Sequence, residues 1–181
     1  MTLVPELYCD DIYAITPEYI KGKGICAVIL DIDNTLVPYE IAEPTPEVRA
    51  WLQALTDNGI KVAFVSNNHA ERVELFNRTL GLDAYPESHK PKRGTLETAM
   101  KRMGVTHAET AMLGDQLLTD AYAGKHIGLV AIIVPPIKDK TTLFFRAKRW
   151  MERPFIRRYA RMHGYAAWMS FWKIKQTGGK Q

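Results

Sequence analysis

Four short runs of almost entirely apolar residues, separated by helical patterns, limit the fold of this chain more than any other feature. The runs span residues 25–30, 61–65, 110–113 and 129–134, and the helical patterns span residues 46–58, 70–80, 91–103 and 119–126. A strand that is apolar on both sides must be covered on both sides. Strands that alternate with helices form a parallel sheet, because each connection crosses a face of the sheet. The sequence therefore predicts an α/β fold built on an open, doubly wound parallel sheet.

The composition limits the class of protein and its compartment. Of the 181 residues, 46% are hydrophobic and 24% are charged, which excludes collagen-like and wholly disordered chains. The longest apolar stretches, residues 127–137 and 165–172, are too short to span a bilayer, and the amino terminus lacks the pattern of a signal peptide. Cys9 and Cys26 are too few for a disulfide framework and are interpreted as buried thiols in a reducing compartment. We expect a cytoplasmic protein.

A pair of carboxylates follows the first apolar run, at the strand end where ligands bind in such sheets. Asp31 and Asp33 are two residues apart, so both side chains can face the same side of the sheet edge. Two carboxyl groups in one crevice titrate differently, so one can attack phosphorus while the other transfers a proton to the leaving oxygen. A single Asp here is more often a turn residue, but the pattern D-x-D-x-T, which includes Thr35, favours a catalytic pair.

Polar residues also follow the second run. The hydroxyl of Ser66 and the backbone N–H groups after it, including that of Asn67, precede a predicted helix whose amino terminus favours anions. This arrangement predicts a phosphate site. Asn68 and Glu71 have the spacing of a capping box, an interpretation that is compatible with phosphate binding by Ser66 and Asn67.

A lysine is the third candidate group. Lys90 precedes Pro91, which suits the first position of a helix and holds Lys90 extended. A lysine here can offset negative charge on a nucleophile and a phosphoryl group. The spacing alone does not distinguish Lys90 from Lys92.

Acidic residues follow the third run in the segment Gly114-Asp115-Gln-Leu-Leu-Thr-Asp120. The glycine permits a tight turn, after which both carboxylates can reach a cation. Hard oxygen ligands without a nearby His or Cys favour Mg²⁺, which keeps waters and bridges to a substrate phosphate.

These four motifs, in this order, resemble those of the haloacid dehalogenase (HAD) superfamily of phosphohydrolases. In detail the chain resembles subclass IIIA, the YqeG-like phosphatases, whose relatives include mitochondrial phosphatidylglycerophosphatases. The resemblance implies a HAD-like Rossmann-type fold with Asp31 as the nucleophile, Asp33 as the general acid and base, and Thr35 as support for the loop. It also implies that Ser66 and Asn67 bind phosphate.

The resemblance further favours Lys90 over Lys92 as the site lysine. It implies that Asp115 ligates Mg²⁺ together with Asp31 and the backbone carbonyl of Asp33. Asp120 would act through water or by orienting Lys90. The expected activity is Mg²⁺-dependent hydrolysis of a phosphomonoester through an aspartyl-phosphate.

The spacing of the motifs predicts a capless enzyme with an open site. Neither the interval from Asp33 to Ser66 nor that from Ser66 to Lys90 can hold a separate domain. An open site suits a phosphate carried by a large molecule, such as a phospholipid in a membrane or a macromolecule. A small substrate stays open as an alternative if a second subunit or the tail closes over the site.

The carboxyl-terminal residues differ from the rest of the chain. Residues 138–181 contain 12 of the 24 Lys and Arg, two of the 20 Asp and Glu, and nine of the 18 aromatic residues. We therefore divide the chain into a phosphatase core at 1–137 and a basic, aromatic-rich helical tail at 138–181. Phe155, Tyr159 and Met162 lie on one helical stripe, and Pro154 suits the start of that helix.

Three interpretations of the tail stay open. A basic face opposite aromatic residues is typical of a helix that lies on an anionic lipid surface. The same composition fits contact with RNA, so the alternative function is a nucleic-acid or ribosome-associated binding protein with incidental phosphatase activity. In the third interpretation, the apolar stripe packs on the core. The oligomeric state is open as well.

Overall fold

The computed structural model describes residues 3–138 and 143–163 of the chain. Six parallel strands form one open sheet in the order β1-β6-β5-β2-β3-β4. The strands are β1 (Leu7–Tyr8), β2 (Ala27–Leu30), β3 (Lys61–Val65), β4 (Asp83–Tyr85), β5 (Thr110–Gly114) and β6 (Val130–Ile133). The α-helices are α1 (Pro17–Gly22), α2 (Pro46–Asp57), α3 (Ala70–Asn77), α4 (Gly94–Met103), α5 (Tyr122–His126) and α6 (Leu143–His163). The predicted fold class is confirmed.

Register places the functional motifs at one edge of the sheet. Leu30, near the end of the central strand β2, lies opposite Phe64 of β3 and Leu113 of β5. Because the three parallel strands end at the same level, the residues that follow them meet at their carboxyl ends. The four predicted runs correspond to β2, β3, β5 and β6.

The sheet is covered on both faces, as the apolar runs predict. Helices α1, α2 and α3 pack on one face, where Ile20, Leu52 and Phe76 bury against alternate residues of β2 and β3. Helices α4 and α5 pack on the other face, where Leu96 and Met112 are fully buried. Alternation along each strand sends successive side chains to opposite faces, so a strand between two helical layers has no polar side.

Several local predictions are wrong. The edge strands β1 and β4 were not expected, because two or three residues are too few to form a pattern. Cys9 and Cys26 are half-buried, since both lie at strand ends near the edge of the core. Helix α4 begins at Gly94 rather than Pro91, because residues 90–93 form a turn.

The described side chains of helix α6, from Trp150 to His163, include several that contact the core. Ile156 packs with Leu117 and Ile133, and the hydroxyl of Tyr159 accepts a hydrogen bond of 3.0 Å from the backbone N–H of Tyr8. The helix begins at Leu143 and passes through Pro154, so the prediction that Pro154 starts it is wrong. These tertiary contacts outweigh the local cost of the proline.

The exposed side of α6 carries Met162, which is 63% exposed. Of the predicted stripe, Phe155 and Tyr159 pack on the core together with Ile156, and Met162 does not. Four of the nine aromatic residues of the proposed tail, including Trp168, lie outside the described residues, and the boundary at residue 137 stays a prediction. Within residues 3–138 and 143–163, no helix has both the length and the apolar character to cross a membrane.

Candidate active site

The loop after β2 presents the first carboxylate from the end of the sheet. The backbone N–H of Asp31 donates to the carbonyl of Leu113 at 2.9 Å, which extends the pairing of β2 and β5 by one residue. Asn34 then takes a positive φ of 64°, a conformation that Asn tolerates better than most residues. The turn brings the Thr35 hydroxyl to 3.1 Å from Asp31 Oδ2, to which it donates a hydrogen bond. Thr35 therefore orients the carboxylate of Asp31.

Lys90 lies between two buried carboxylates. Its Nζ is 2.7 Å from Asp31 Oδ1 and 2.8 Å from Asp120 Oδ1, and its side chain is only 2% exposed. Burial alone would lower the pKa of Lys90, but the carboxylates of Asp120 and Asp31 outweigh burial and raise it. The ammonium group is therefore charged at neutral pH. Lys92 is exposed to solvent.

The pKa of Asp31 reflects competition between burial and charge. Burial raises the pKa of Asp31 to about 6, while the ammonium group of Lys90 acts in the opposite direction and Asp120 adds to the increase. A carboxylate whose charge is poorly solvated is a stronger nucleophile than a hydrated one. Lys90 thus holds Asp31 ionised in a site that burial alone would neutralise.

Asn67 holds the loop that carries Lys90. Its side-chain Oδ1 accepts hydrogen bonds from the backbone N–H of Lys90 at 2.6 Å and the hydroxyl of Ser88 at 2.8 Å. Its Nδ2 donates to the backbone carbonyl of Lys90 at 3.0 Å. The polar atoms of the Asn67 side chain therefore position Lys90, and its backbone N–H is the group that remains for a phosphate.

Ser66 and Asn68 follow β3 at the floor of the site. The buried Ser66 Oγ accepts a hydrogen bond of 3.1 Å from the backbone N–H of Asn68. Helix α3 has His69 as its amino-terminal cap residue, with no side-chain hydrogen bond there, so the predicted capping box of Asn68 and Glu71 is wrong. The side chain of Asn68 instead donates to Asp33 Oδ2 at 2.8 Å.

Arg72 is a site residue that the sequence reasoning missed. Its guanidinium donates to Asp33 Oδ1 at 3.0 Å and to the carbonyls of Ile41 and Ala42 at 2.8 Å each. It therefore ties the second carboxylate to the loop between β2 and α2. No local sequence motif identifies Arg72 as a site residue. It lies within helix α3, where the helical spacing in the sequence indicates only which apolar residues face the core.

A cluster of three buried aspartates adjoins Lys90. Asp31, Asp115 and Asp120 each offer a carboxylate oxygen, and these oxygens lie within 4.8 Å of one another. A Cβ on Gly114 would lie 2.3 Å from Asp120 Cγ, so only glycine lets the Asp120 side chain fold over the end of β5. The backbone N–H of Gln116 donates to Asp120 Oδ2 at 3.1 Å. Three oxygen donors of this kind fit a hard divalent cation.

Many of the site residues line one hollow of about 190 Å³. Pockets that enclose a drug-sized ligand are larger, roughly 300–1,000 Å³. The hollow is therefore too small to enclose a drug-sized ligand, and much of a larger substrate would lie outside it. Tyr39 stands in its lining, and burial and then the nearby carboxylates of Asp33 and Asp31 raise the pKa of its phenol.

The structure brings together every residue that the sequence singled out. Asp31, Asp33, Ser66, Asn67, Lys90 and Asp120 line the hollow. Asp115 belongs to the acidic cluster beside it, and Thr35 lies behind Asp31. The arrangement provides a carboxylate beside a buried cation, a second carboxylate and a set of hard oxygen donors, and groups of these types can carry out transfer of a phosphoryl group.

Comparison with known proteins assigns this site to a class. A family model described as haloacid dehalogenase-like hydrolase matches residues 37–128. The chain belongs to the haloacid dehalogenase-like hydrolases and is a phosphatase of that family.

Particular relatives narrow the comparison. The chain is 33% identical over 165 residues to "Probable phosphatase YqeG" of Bacillus subtilis, which covers 91% of this chain and 95% of that protein. It is 26% identical over 169 residues to phosphatidylglycerophosphate phosphatase 1, chloroplastic/mitochondrial, of Arabidopsis thaliana, covering 88% of this chain and 49% of that longer protein. A solved structure from Legionella pneumophila, assigned to HAD subfamily III A, superposes with a TM-score of 0.51 at 20% identity, over 87% of this chain and 91% of that one. This last likeness shows the fold.

Proposed function

We propose that the protein is a Mg²⁺-dependent phosphomonoester hydrolase in which Asp31 is the nucleophile. The observation that carries the proposal is the contact of Asp31 with Lys90 inside the small polar hollow, beside Asp115 and Asp120. The hollow is small and lined by polar and charged side chains, which suits the phosphoryl end of a substrate, so we place the reaction at phosphorus.

The reaction proceeds in two displacements. In the first, a carboxylate oxygen of Asp31 forms a bond to phosphorus, the bond from phosphorus to the leaving oxygen breaks, and Asp33 gives that oxygen a proton. In the second, water attacks the phosphorus of the aspartyl-phosphate and gives a proton to Asp33. The Asp31–phosphorus bond then breaks, which releases inorganic phosphate and restores both carboxyl groups.

The remaining residues stabilise charge and geometry. Lys90, the hydroxyl of Ser66 and the backbone N–H of Asn67 offset the negative charge of the phosphoryl oxygens. Arg72 and Asn68 hold Asp33 in place from two sides.

The acidic cluster is the proposed metal site. Asp31, Asp115 and the backbone carbonyl of Asp33 would hold Mg²⁺, with Asp120 close enough to contribute directly or through water. When bound, Mg²⁺ neutralises charge between the carboxylates and the phosphoryl group.

Substitution of the nucleophile tests the mechanism. Asp31→Asn should abolish Mg²⁺-dependent hydrolysis of an aryl phosphate, and Asp57→Asn, an exposed change on α2, should leave it intact. Rapid acid quenching followed by mass spectrometry should find a phosphoryl adduct on the peptide that contains Asp31. Turnover that survives Asp31→Asn would reject the proposal.

We further propose that the substrate is a phospholipid such as phosphatidylglycerophosphate. The support is the relative named phosphatidylglycerophosphate phosphatase 1, together with a small polar hollow that would leave the body of a large substrate outside. Trp150 and Met151 of α6, which are 68% and 52% exposed, lie about two helical turns before the exposed arginines at positions 157 and 158, on the same side of the helix. Apolar and cationic side chains on one surface helix favour an anionic lipid interface.

A substrate panel and a binding assay test this step. Phosphatidylglycerophosphate should be hydrolysed faster than nucleotide and sugar phosphates. The double variant Trp150→Ala, Met151→Ala should bind phosphatidylglycerol vesicles more weakly than the unaltered protein, and Tyr13→Ala, an exposed aromatic change elsewhere, should not. Salt-sensitive binding to RNA without binding to vesicles would instead favour the nucleic-acid alternative.

A further inference from the structure

Helix α6 sends one carboxylate into the body of the enzyme. Glu152 is 1% exposed although it lies on a helix with many solvent-facing cations. Its Oε1 accepts hydrogen bonds from the backbone N–H groups of Leu117 at 3.0 Å and of Leu118 at 3.4 Å. A carboxylate is rarely buried so completely without a structural or functional role.

The two amide groups lie at the start of the segment that carries Asp120, one member of the acidic cluster. Leu117 and Leu118 are the first residues of a helical segment. The segment begins as one π-helical turn at Leu117–Ala121 and continues directly into α5. Asp115 lies two residues before this segment, and Asp120 lies within it. A shift of the first turn would therefore move both aspartates relative to Asp31.

The segment lacks a cap of its own. The first N–H groups of a helix have no partner within the helix and are usually satisfied by a nearby side chain. Gln116 occupies the cap position without making a side-chain hydrogen bond to the helix amides. Glu152, 35 residues along the chain from Leu117, supplies the acceptor, and its negative charge also suits the amino-terminal end of a helix.

A continuous series of contacts links Glu152 to the nucleophile. Beside the capped amides, Gln116 N–H donates to Asp120 Oδ2 at 3.1 Å. The other oxygen of Asp120 is 2.8 Å from Lys90 Nζ, which is 2.7 Å from Asp31 Oδ1.

We propose that Glu152 is a positioning residue for the active site: by accepting hydrogen bonds from the Leu117 and Leu118 amides, it holds Asp115 and Asp120 in place for metal binding. Docking of α6 is therefore a requirement of the catalytic apparatus as well as of the core. The role in metal binding rests on the proposed function.

Metal binding in the absence of substrate is the first test. Titration calorimetry with MgCl₂, and with MnCl₂ as a second probe, should show about tenfold weaker binding for Glu152→Ala, the scale typical of residues that orient metal ligands. Glu152→Gln keeps an acceptor oxygen at the same reach and should restore most of the affinity. Ile156→Val, which trims the apolar packing of the same helix and leaves the helix docked, is the matched control and should lower the melting temperature slightly while keeping metal affinity near that of the unaltered protein.

Kinetics provide a second, independent measurement. With saturating metal and an aryl phosphate, Glu152→Ala should lower kcat about tenfold and leave KM nearly unchanged, because the altered group touches no substrate. If Glu152→Ala does not fold, Glu152→Asp, which keeps the charge but shortens the reach, should show the same pattern to a smaller extent.

Two results would overturn the proposal. One is normal metal affinity in a folded Glu152→Ala or Glu152→Asp protein, which would leave Glu152 a purely structural residue. The other is an equal loss of affinity in Glu152→Gln and Glu152→Ala, since an acceptor oxygen would then not suffice. An unaltered protein that binds metal but hydrolyses no phosphomonoester would refute the proposed function alone, because the calorimetric comparison would still decide the role of Glu152.

Discussion

Removing the buried ammonium group between Asp31 and Asp120 should damage both stability and activity. Lys90→Met retains most of the side-chain volume but leaves two carboxylates, 9% and 2% exposed, without their cation. Deleting one partner of a buried ion pair costs about 3–5 kcal/mol. For a chain of this size each kcal/mol lowers the melting temperature by about 2–4 °C, so we expect a decrease of about 6–20 °C.

The destabilisation should depend on pH in a defined direction. Lys90 acts to lower the pKa of Asp31, so without Lys90 that pKa rises beyond about 6. An acid whose pKa is higher in the folded state destabilises that state at high pH, and the penalty is lost as pH falls toward the unfolded value of 3.8. The stability difference between Lys90→Met and the unaltered protein should therefore be larger at about pH 8 than at about pH 5.

Urea unfolding at both pH values, with and without MgCl₂, measures this prediction. Lys92→Met, the same change at an exposed neighbour, is the control and should alter the free energy of unfolding by less than about 0.5 kcal/mol. Turnover of an aryl phosphate by Lys90→Met should fall by about 100-fold or more, as expected for loss of a preorganised charge. A stability loss below about 1 kcal/mol, or equal effects of the two variants, would refute the argument that Lys90 is the buried cation of the site.

Three further perturbations test separate features of the structure. Gly114→Ala should lower turnover about 10- to 100-fold because its Cβ would meet the Asp120 carboxylate, whereas Gly22→Ala, with open space around it, should retain activity. Burial, followed by the neighbouring aspartates, raises the pKa of Cys9 from 9.0 to about 11. Because the thiolate is the reactive form, alkylation of Cys9 near pH 8, followed by mass spectrometry, should be about 100-fold slower than that of an unstructured cysteine, and its rate should increase toward pH 11. Trp51→Phe should lower the free energy of unfolding, measured with urea, by about 1–3 kcal/mol. The reason is that a buried backbone carbonyl before α1 would lose the hydrogen bond of 2.9 Å that the Trp51 indole donates to it.

The candidate site residues were easier to predict from the sequence than the residues that hold them in place. Asp31, Ser66 and Asp115 could be found because each follows an apolar strand, and parallel strands end at a common edge. Arg72 and Glu152 could not be found in this way. Each acts through a contact with a residue distant in sequence, Asp33 for Arg72 and Leu117 for Glu152, and no local pattern encodes such a contact.

Helix boundaries were likewise predicted correctly where local sequence sets them and wrongly where tertiary contacts set them. The predicted helix at 46–58 agrees with α2 because Thr45, Pro46 and the apolar spacing all act locally. The prediction that α6 starts at Pro154 was wrong. Proline favours a helix start locally, but the packing of Ile156 and Tyr159 against the core stabilises a helix that continues through Pro154.

The amino-acid sequence alone determined the parallel sheet, its two covering layers and the edge at which the acidic residues meet, because hydrophobic periodicity and strand direction are properties of short segments. Only the tertiary structure decided which lysine enters the hollow, which oxygen of each aspartate meets it, and which distant side chains hold those aspartates in place. Those choices depend on burial and on distances of about 3 Å between groups far apart in the chain, and such distances exist only once the layers have packed.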